Sequence, residues 1–215
     1  MKKLIVSLIG VCLLFTGTRA NAQISASDGT WSFGGGFSGF TLGGADAEVI
    51  KNQHFPSMIP GFYFGVNFDY AFSSIDGLTL EPGVNIFHYG KAFTFGKAQD
   101  HKSYHANYLQ IPVNIKFAFP MENTPLGMAV YTGPRLNIGI GGNMFGKDGE
   151  TYPGLKPIDA QWGFGLAVAL AEAVAIRGEY NISLTNCLRD NKKLGFDDEI
   201  IRRNSFSIGV SFMFK

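Results

Sequence analysis

The chain has 215 residues, 46% of them hydrophobic, with 28 Gly, 20 Phe and a formal net charge of +1. A balance so near neutral gives no reason to expect nucleic acid as a partner. Only two cysteines occur, and one of them, Cys12, lies in the first 22 residues, so no internal disulfide framework is available downstream.

Residues 1–22 read as a signal peptide. Lys2 and Lys3 form a positive start, Leu4 to Phe15 an apolar stretch, and Ala20-Asn21-Ala22 a small-x-small cleavage site with Gln23 as the new N-terminus. Val11 stands before Cys12 where lipidation expects a small residue. The remaining domain, 23–215, loses Lys2, Lys3 and Arg19, which leaves 15 basic against 17 acidic residues and a charge of −2. Cys187 is then the one cysteine, expected as a small, semi-buried residue and not as a reactive thiol. No run of 18 apolar residues follows the leader, so an exported chain this apolar must hide its aromatics in a core or show them to lipid.

Alternation with a period of two decides between these. The first expected strand, Thr30 to Thr41, puts Trp31, Phe33 and Phe37 on one face and Ser32, Gly34, Gly36 and Ser38 on the other. The second, Pro60 to Phe72, sets Phe62, Phe64, Val66, Phe68, Tyr70 and Phe72 against Tyr63, Gly65, Asn67, Asp69 and Ala71. In the third, Leu78 to Tyr89, Leu80, Pro82, Val84 and Ile86 oppose Glu81, Gly83 and Asn85; Pro82 is foreign to a central strand of an ordinary sheet. The fourth, Ala106 to Phe119, turns its odd positions outward: Leu109, Ile111, Val113, Ile115 and Phe117, with Gln110, Asn114 and Lys116 inward. The fifth, Leu126 to Ile140, sends Met128, Val130, Leu136 and Ile138 out and Tyr131, Arg135 and Asn137 in. The sixth, Ile158 to Leu170, alternates Trp162, Phe164, Leu166 and Val168 with small residues. The seventh, Val174 to Leu184, opposes Val174, Ile176, Tyr180 and Ile182 to Arg177, Glu179 and Asn181. In the eighth, Arg203 to Phe214, Phe206, Ile208, Val210 and Phe212 oppose Ser205, Ser207, Gly209 and Ser211.

The links alternate long and short: roughly 42–59, 90–105, 141–157 and 185–202 are long, and 73–77, 120–125 and 171–173 are short. Short periplasmic turns and long external loops are the habit of outer-membrane barrels. A soluble barrel of the lipocalin kind buries its apolar face inside, and Gly, Ser, Asn and charges would make a poor core for it. The expected fold is therefore all-β: an eight-stranded, antiparallel, up-and-down transmembrane barrel, located in the outer membrane.

Three inward acids, Asp69, Glu81 and Glu179, match three inward cations, Lys116, Arg135 and Arg177, and should form a satisfied polar plug. Eight strands leave a bore about filled by side chains, which argues against a conducting pore. Enzyme chemistry on lipid would fall to His88, His101, Ser103 and His105, with Asp100 beside them, since a Ser with a His base can attack an acyl ester. No acid is placed to orient the imidazole, and His54 carries less signal still. No catalytic residue, metal site or cofactor is expected.

Several segments resemble a known family. Leu80-Glu81-Pro82-Gly83-Val84-Asn85, Tyr108 to Lys116 with Pro112 inside it, Thr132-Gly133-Pro134-Arg135, and Arg177 to Asn186 are similar, in order, to the third, fourth, fifth and seventh strands of the PorT-like barrels of Bacteroidetes, small porin-like outer membrane proteins of the OmpA/OmpX type. Lys215 after Phe214, and Ile182-Ser183 where the family's seventh strand has Gly, depart from that pattern. The resemblance implies an outer-membrane location and no assigned activity. Expected partners are outer membrane lipids and lipopolysaccharide, the barrel assembly machinery, and an extracellular protein or ligand at the loops. The chain is expected to be a monomer with a structural or surface-binding role. The alternatives are a lipid deacylase or acyltransferase and a small-solute channel.

Overall fold

The computed structural model describes residues 29–43, 58–72, 74–90, 105–120, 126–145, 154–171, 173–188 and 200–214. The expected leader and cleavage site lie outside them, as does most of each long link. Eight strands occur among the described residues: β1 Thr30–Gly43, β2 Ile59–Ala71, β3 Leu78–Gly90, β4 His105–Pro120, β5 Gly127–Gly141, β6 Ile158–Ala171, β7 Val174–Ser183 and β8 Arg202–Phe214. Each is antiparallel to its sequence neighbour, and β1 pairs with β8 from Trp31↔Phe214 to Gly43↔Arg202, so the sheet closes on itself. The ends differ from those expected by no more than two residues.

The alternation sets which way the wall faces. Phe64 is 65% exposed and Ile115 54%, whereas Glu81 between its neighbours is fully buried. Even positions face out in six strands and odd ones in β1 and β4, as the pattern requires. A polar handle on the outer wall is tied down locally: Trp162 Nε1 donates to Thr132 Oγ1 (2.8 Å), and that hydroxyl donates to Gly163 O (2.8 Å). The Trp162 indole N–H is thereby not left bare toward hydrocarbon, where it would be costly.

Thr30 and Phe214 lie at the end of the barrel that carries the short links. The turn before β3 needs Gly77, whose φ of 79° suits a residue without Cβ, and Gly77 O accepts from Ala118 N (2.8 Å) on the next hairpin. Three of the in-strand prolines, Pro82, Pro112 and Pro134, fall at one level. The paired register lapses between β2 and β3 beside Pro82, between β3 and β4 beside Pro112, and between β4 and β5 beside Pro134. A proline donates no ladder bond, so motifs that looked unrelated in the sequence form one diagonal break across three seams.

Inward glycines make room for the large polar side chains. A Cβ on Gly163 would coincide with the Arg135 guanidinium, one on Gly165 with the Tyr131 ring, and one on Gly65 with the Asn85 amide. Large and small residues thereby interdigitate across a narrow bore.

Candidate functional site

The bore is built in tiers. Nearest the short links, Ala118, Ala129, Ala167, Ala169 and Ala175 are small and buried. Next comes a tier of charge. Lys116 Nζ pairs with Asp69 and with Glu81 (3.0 Å), and Arg177 reaches across the barrel to Glu81 with Nη1 at 2.9 Å and Nη2 at 2.6 Å. Asn114 Nδ2 donates to Glu81 as well (2.9 Å), and the Arg177 guanidinium lies 4.5 Å from the Tyr131 ring centre. Glu179 accepts from Arg135 Nε (3.1 Å), Arg135 Nη2 (2.7 Å) and Asn181 Nδ2 (2.8 Å). Opposite these, Asn85, Gln110 and Asn137 pass hydrogen bonds along the wall at 3.3 and 3.0 Å.

All six charges read from the sequence are therefore inside and paired as expected. A fourth pair was missed. Arg203, 1% exposed, donates from Nε and Nη2 to Asp159 Oδ2 (3.2 and 3.0 Å), while Ser183 and Thr185 hydroxyls donate to Asp159 Oδ1 (2.6 and 2.9 Å). Parity alone places both residues inward, since Asp159 and Arg203 are odd positions of strands whose odd positions face in. They were overlooked because each stands beside a long link.

The outer end corrects the expectation of a wholly polar interior. Phe40, Leu42, Ile59, Phe87, Tyr89, Ala106 and Tyr108 turn inward there and are buried. The roots of the last two long links fold down onto them. Met144 sits in a short 3-10 turn, Asn143–Phe145, and Leu155 bridges to Leu188. Cys187 N donates to Ile201 O (2.8 Å) and Lys156 N to Cys187 O (2.8 Å), so Met144, Leu155, Cys187, Leu188 and Ile201 join one apolar cluster. Arg203 lies beneath it, its guanidinium 4.0 Å from the Tyr108 ring centre and 5.6 Å from that of Phe40. Cations over aromatic faces are stabilised when desolvated, which lets one Arg adjoin an apolar plug.

Cys187 is fully buried where a semi-buried residue was expected, and burial pushes its thiol up to about 12. Folded protein in detergent should resist maleimide at pH 7.5 and react once heated, read as a mass shift on a gel; rapid labelling of the folded form would mean the mouth stands open.

Of the histidine and serine candidates, His88 and His105 lie among the described residues. His88 faces outward, donating from Nδ1 to Asn107 Oδ1 (2.6 Å) with its ring 5.0 Å from that of Phe62. His105 is exposed at the start of β4. His54, Asp100, His101 and Ser103 lie outside the described residues. Among the described residues no group of three His, Cys, Asp or Glu side chains could hold a metal ion.

Several solved structures are similar to this chain. OprG of Pseudomonas aeruginosa is 12% identical over 91% of this chain and 99% of its own, with a TM-score of 0.47. Neisserial surface protein A is 13% identical over 87% and 100% (TM-score 0.46). Ail, the attachment invasion locus protein of Yersinia pestis, solved in complex with the heparin analogue sucrose octasulfate, is 10% identical over 87% and 100% (TM-score 0.45). No curated protein matches the chain. Residues 21–189 match the family described as the outer membrane protein beta-barrel domain. That match spans most of the sequence, so this chain belongs to the outer membrane protein beta-barrel domain family and resides in the outer membrane.

Proposed function

We propose that the chain is a PorT-like barrel that neither catalyses nor conducts, and that it serves as a rigid mount for surface-exposed links with a structural or binding role. The observation that carries this reading is the filled bore, closed by a tier of paired charges and again by the apolar plug at the outer mouth. A water-filled path would need both to be displaced. The outward-facing His88, its Nδ1 engaged by Asn107, supports the absence of a lipid-cleaving centre. Binding specificity then belongs to the four long links, because loops carried by a rigid scaffold are where recognition commonly resides. The barrel stands as a monomer among membrane lipids and lipopolysaccharide, having been inserted by the barrel assembly machinery.

Purified protein in a planar bilayer should give no unit conductance steps, and lipids extracted from expressing cells should match those of cells carrying His88→Ala. Stable single-channel steps would overturn the closed bore. A lipid product lost in the His88 variant would overturn the non-enzymatic reading. Replacing 44–57 and 189–199 with short Gly-Ser links should leave faster gel migration without boiling intact while abolishing surface binding.

A further inference from the structure

Between the two inner charge groups, Lys116–Glu81–Arg177 and Arg135–Glu179, the bore holds a small cavity of about 20 Å³. Asn114, Pro112, Tyr63, Arg177, Glu179 and Ser211 are among the residues lining it. Asn114 is 1% exposed; its Nδ2 is engaged by Glu81, but its Oδ1 has no protein partner. A buried amide oxygen left bare is costly, so native proteins seldom leave one. The cavity arises where Pro112 interrupts the β3–β4 register and where Gly34 and Gly65 contribute no side chain.

We propose that this cavity is a binding site for one water molecule, which donates to Asn114 Oδ1 and joins the Glu81–Arg177 group to the Glu179–Arg135 group. Its size suits a single water, which needs roughly 10–15 Å³ of free space and two to four polar partners. Asn114 is one such partner, and Glu179 as acceptor, Arg177 as donor and the Tyr63 hydroxyl as either surround the same space. About 20 Å³ is near what one water requires and well short of a file of waters, so the site is a link and not a stretch of aqueous path. The proposal concerns the inner bore and stands whatever the surface links bind.

High-resolution crystal structures of the wild type, Asn114→Leu and Ser211→Val test it, together with water-to-amide NOE spectra of the wild type in micelles. The expected result is one ordered water within hydrogen-bond distance of Asn114 Oδ1 and a bound-water NOE at the Asn114 side-chain amide. Asn114→Leu should lose that water. Ser211→Val should displace it by filling the space, and this variant serves if Asn114→Leu does not fold. A dry cavity in the wild type, a file of waters running on through the bore, or a water that persists unchanged in both variants overturns the proposal.

Discussion

Replacing Glu81 by Leu should destabilise the barrel by about 3–5 kcal/mol, the usual effect of stripping one partner from a buried charge group. Glu81 accepts from Lys116, from both terminal nitrogens of Arg177 and from Asn114, and none of its surface is exposed. Asp69 remains to hold Lys116, but Arg177 is left as an unmatched cation between opposite walls. Removing that cation too, in Glu81→Leu with Arg177→Met, should restore most of the loss, because a buried pair replaced by apolar residues of similar size is often near neutral. The measurement is the urea midpoint of unfolding from lipid vesicles, followed by the fluorescence of Trp31 and Trp162. A single variant as stable as the wild type, or a double variant no better than the single, contradicts the assigned network.

Gly163→Val should be comparably damaging, about 3–5 kcal/mol, for a reason of space. The added side chain would take the place of the Arg135 guanidinium and push it off Glu179. Gly178, outward on β7, is the matched control, since a Cβ there meets nothing within 4 Å. Gly178→Ala should leave stability unchanged or raise it by up to roughly 1 kcal/mol through the less flexible unfolded chain. Equal damage at both positions would mean that strand propensity decides these sites and the bore packing does not.

The wall of the barrel was legible because lipid imposes a strict rule on every second side chain, and Phe62 to Phe72 obey it without exception. The six inner charges followed from the same rule. The outer plug did not, because Phe87 and Tyr89 are apolar on the face that parity reserves for polar residues. They blur the alternation where β3 ends, and Met144, Leu155 and Leu188 stand in links with no periodicity to read. The seating of Arg135 over Gly163 was also hidden, since it depends on the stagger between β5 and β6 and not on either strand alone. The prolines were legible as motifs, yet their shared level emerges only from the paired register.

The Glu81–Arg177 pair also bears on the order of assembly. Its partners are 96 residues apart in sequence and stand on β3 and β7, four strands apart in a ring of eight. In a sheet not yet closed the two stand on separate strands with three others between them, and nothing short of near-complete closure lets them meet. Until then the unfinished concave face carries ions that lipid would reject. Assembly therefore has to keep that face in water or against a protein surface and release the barrel to the bilayer only as the last seam, β1 against β8, is sewn.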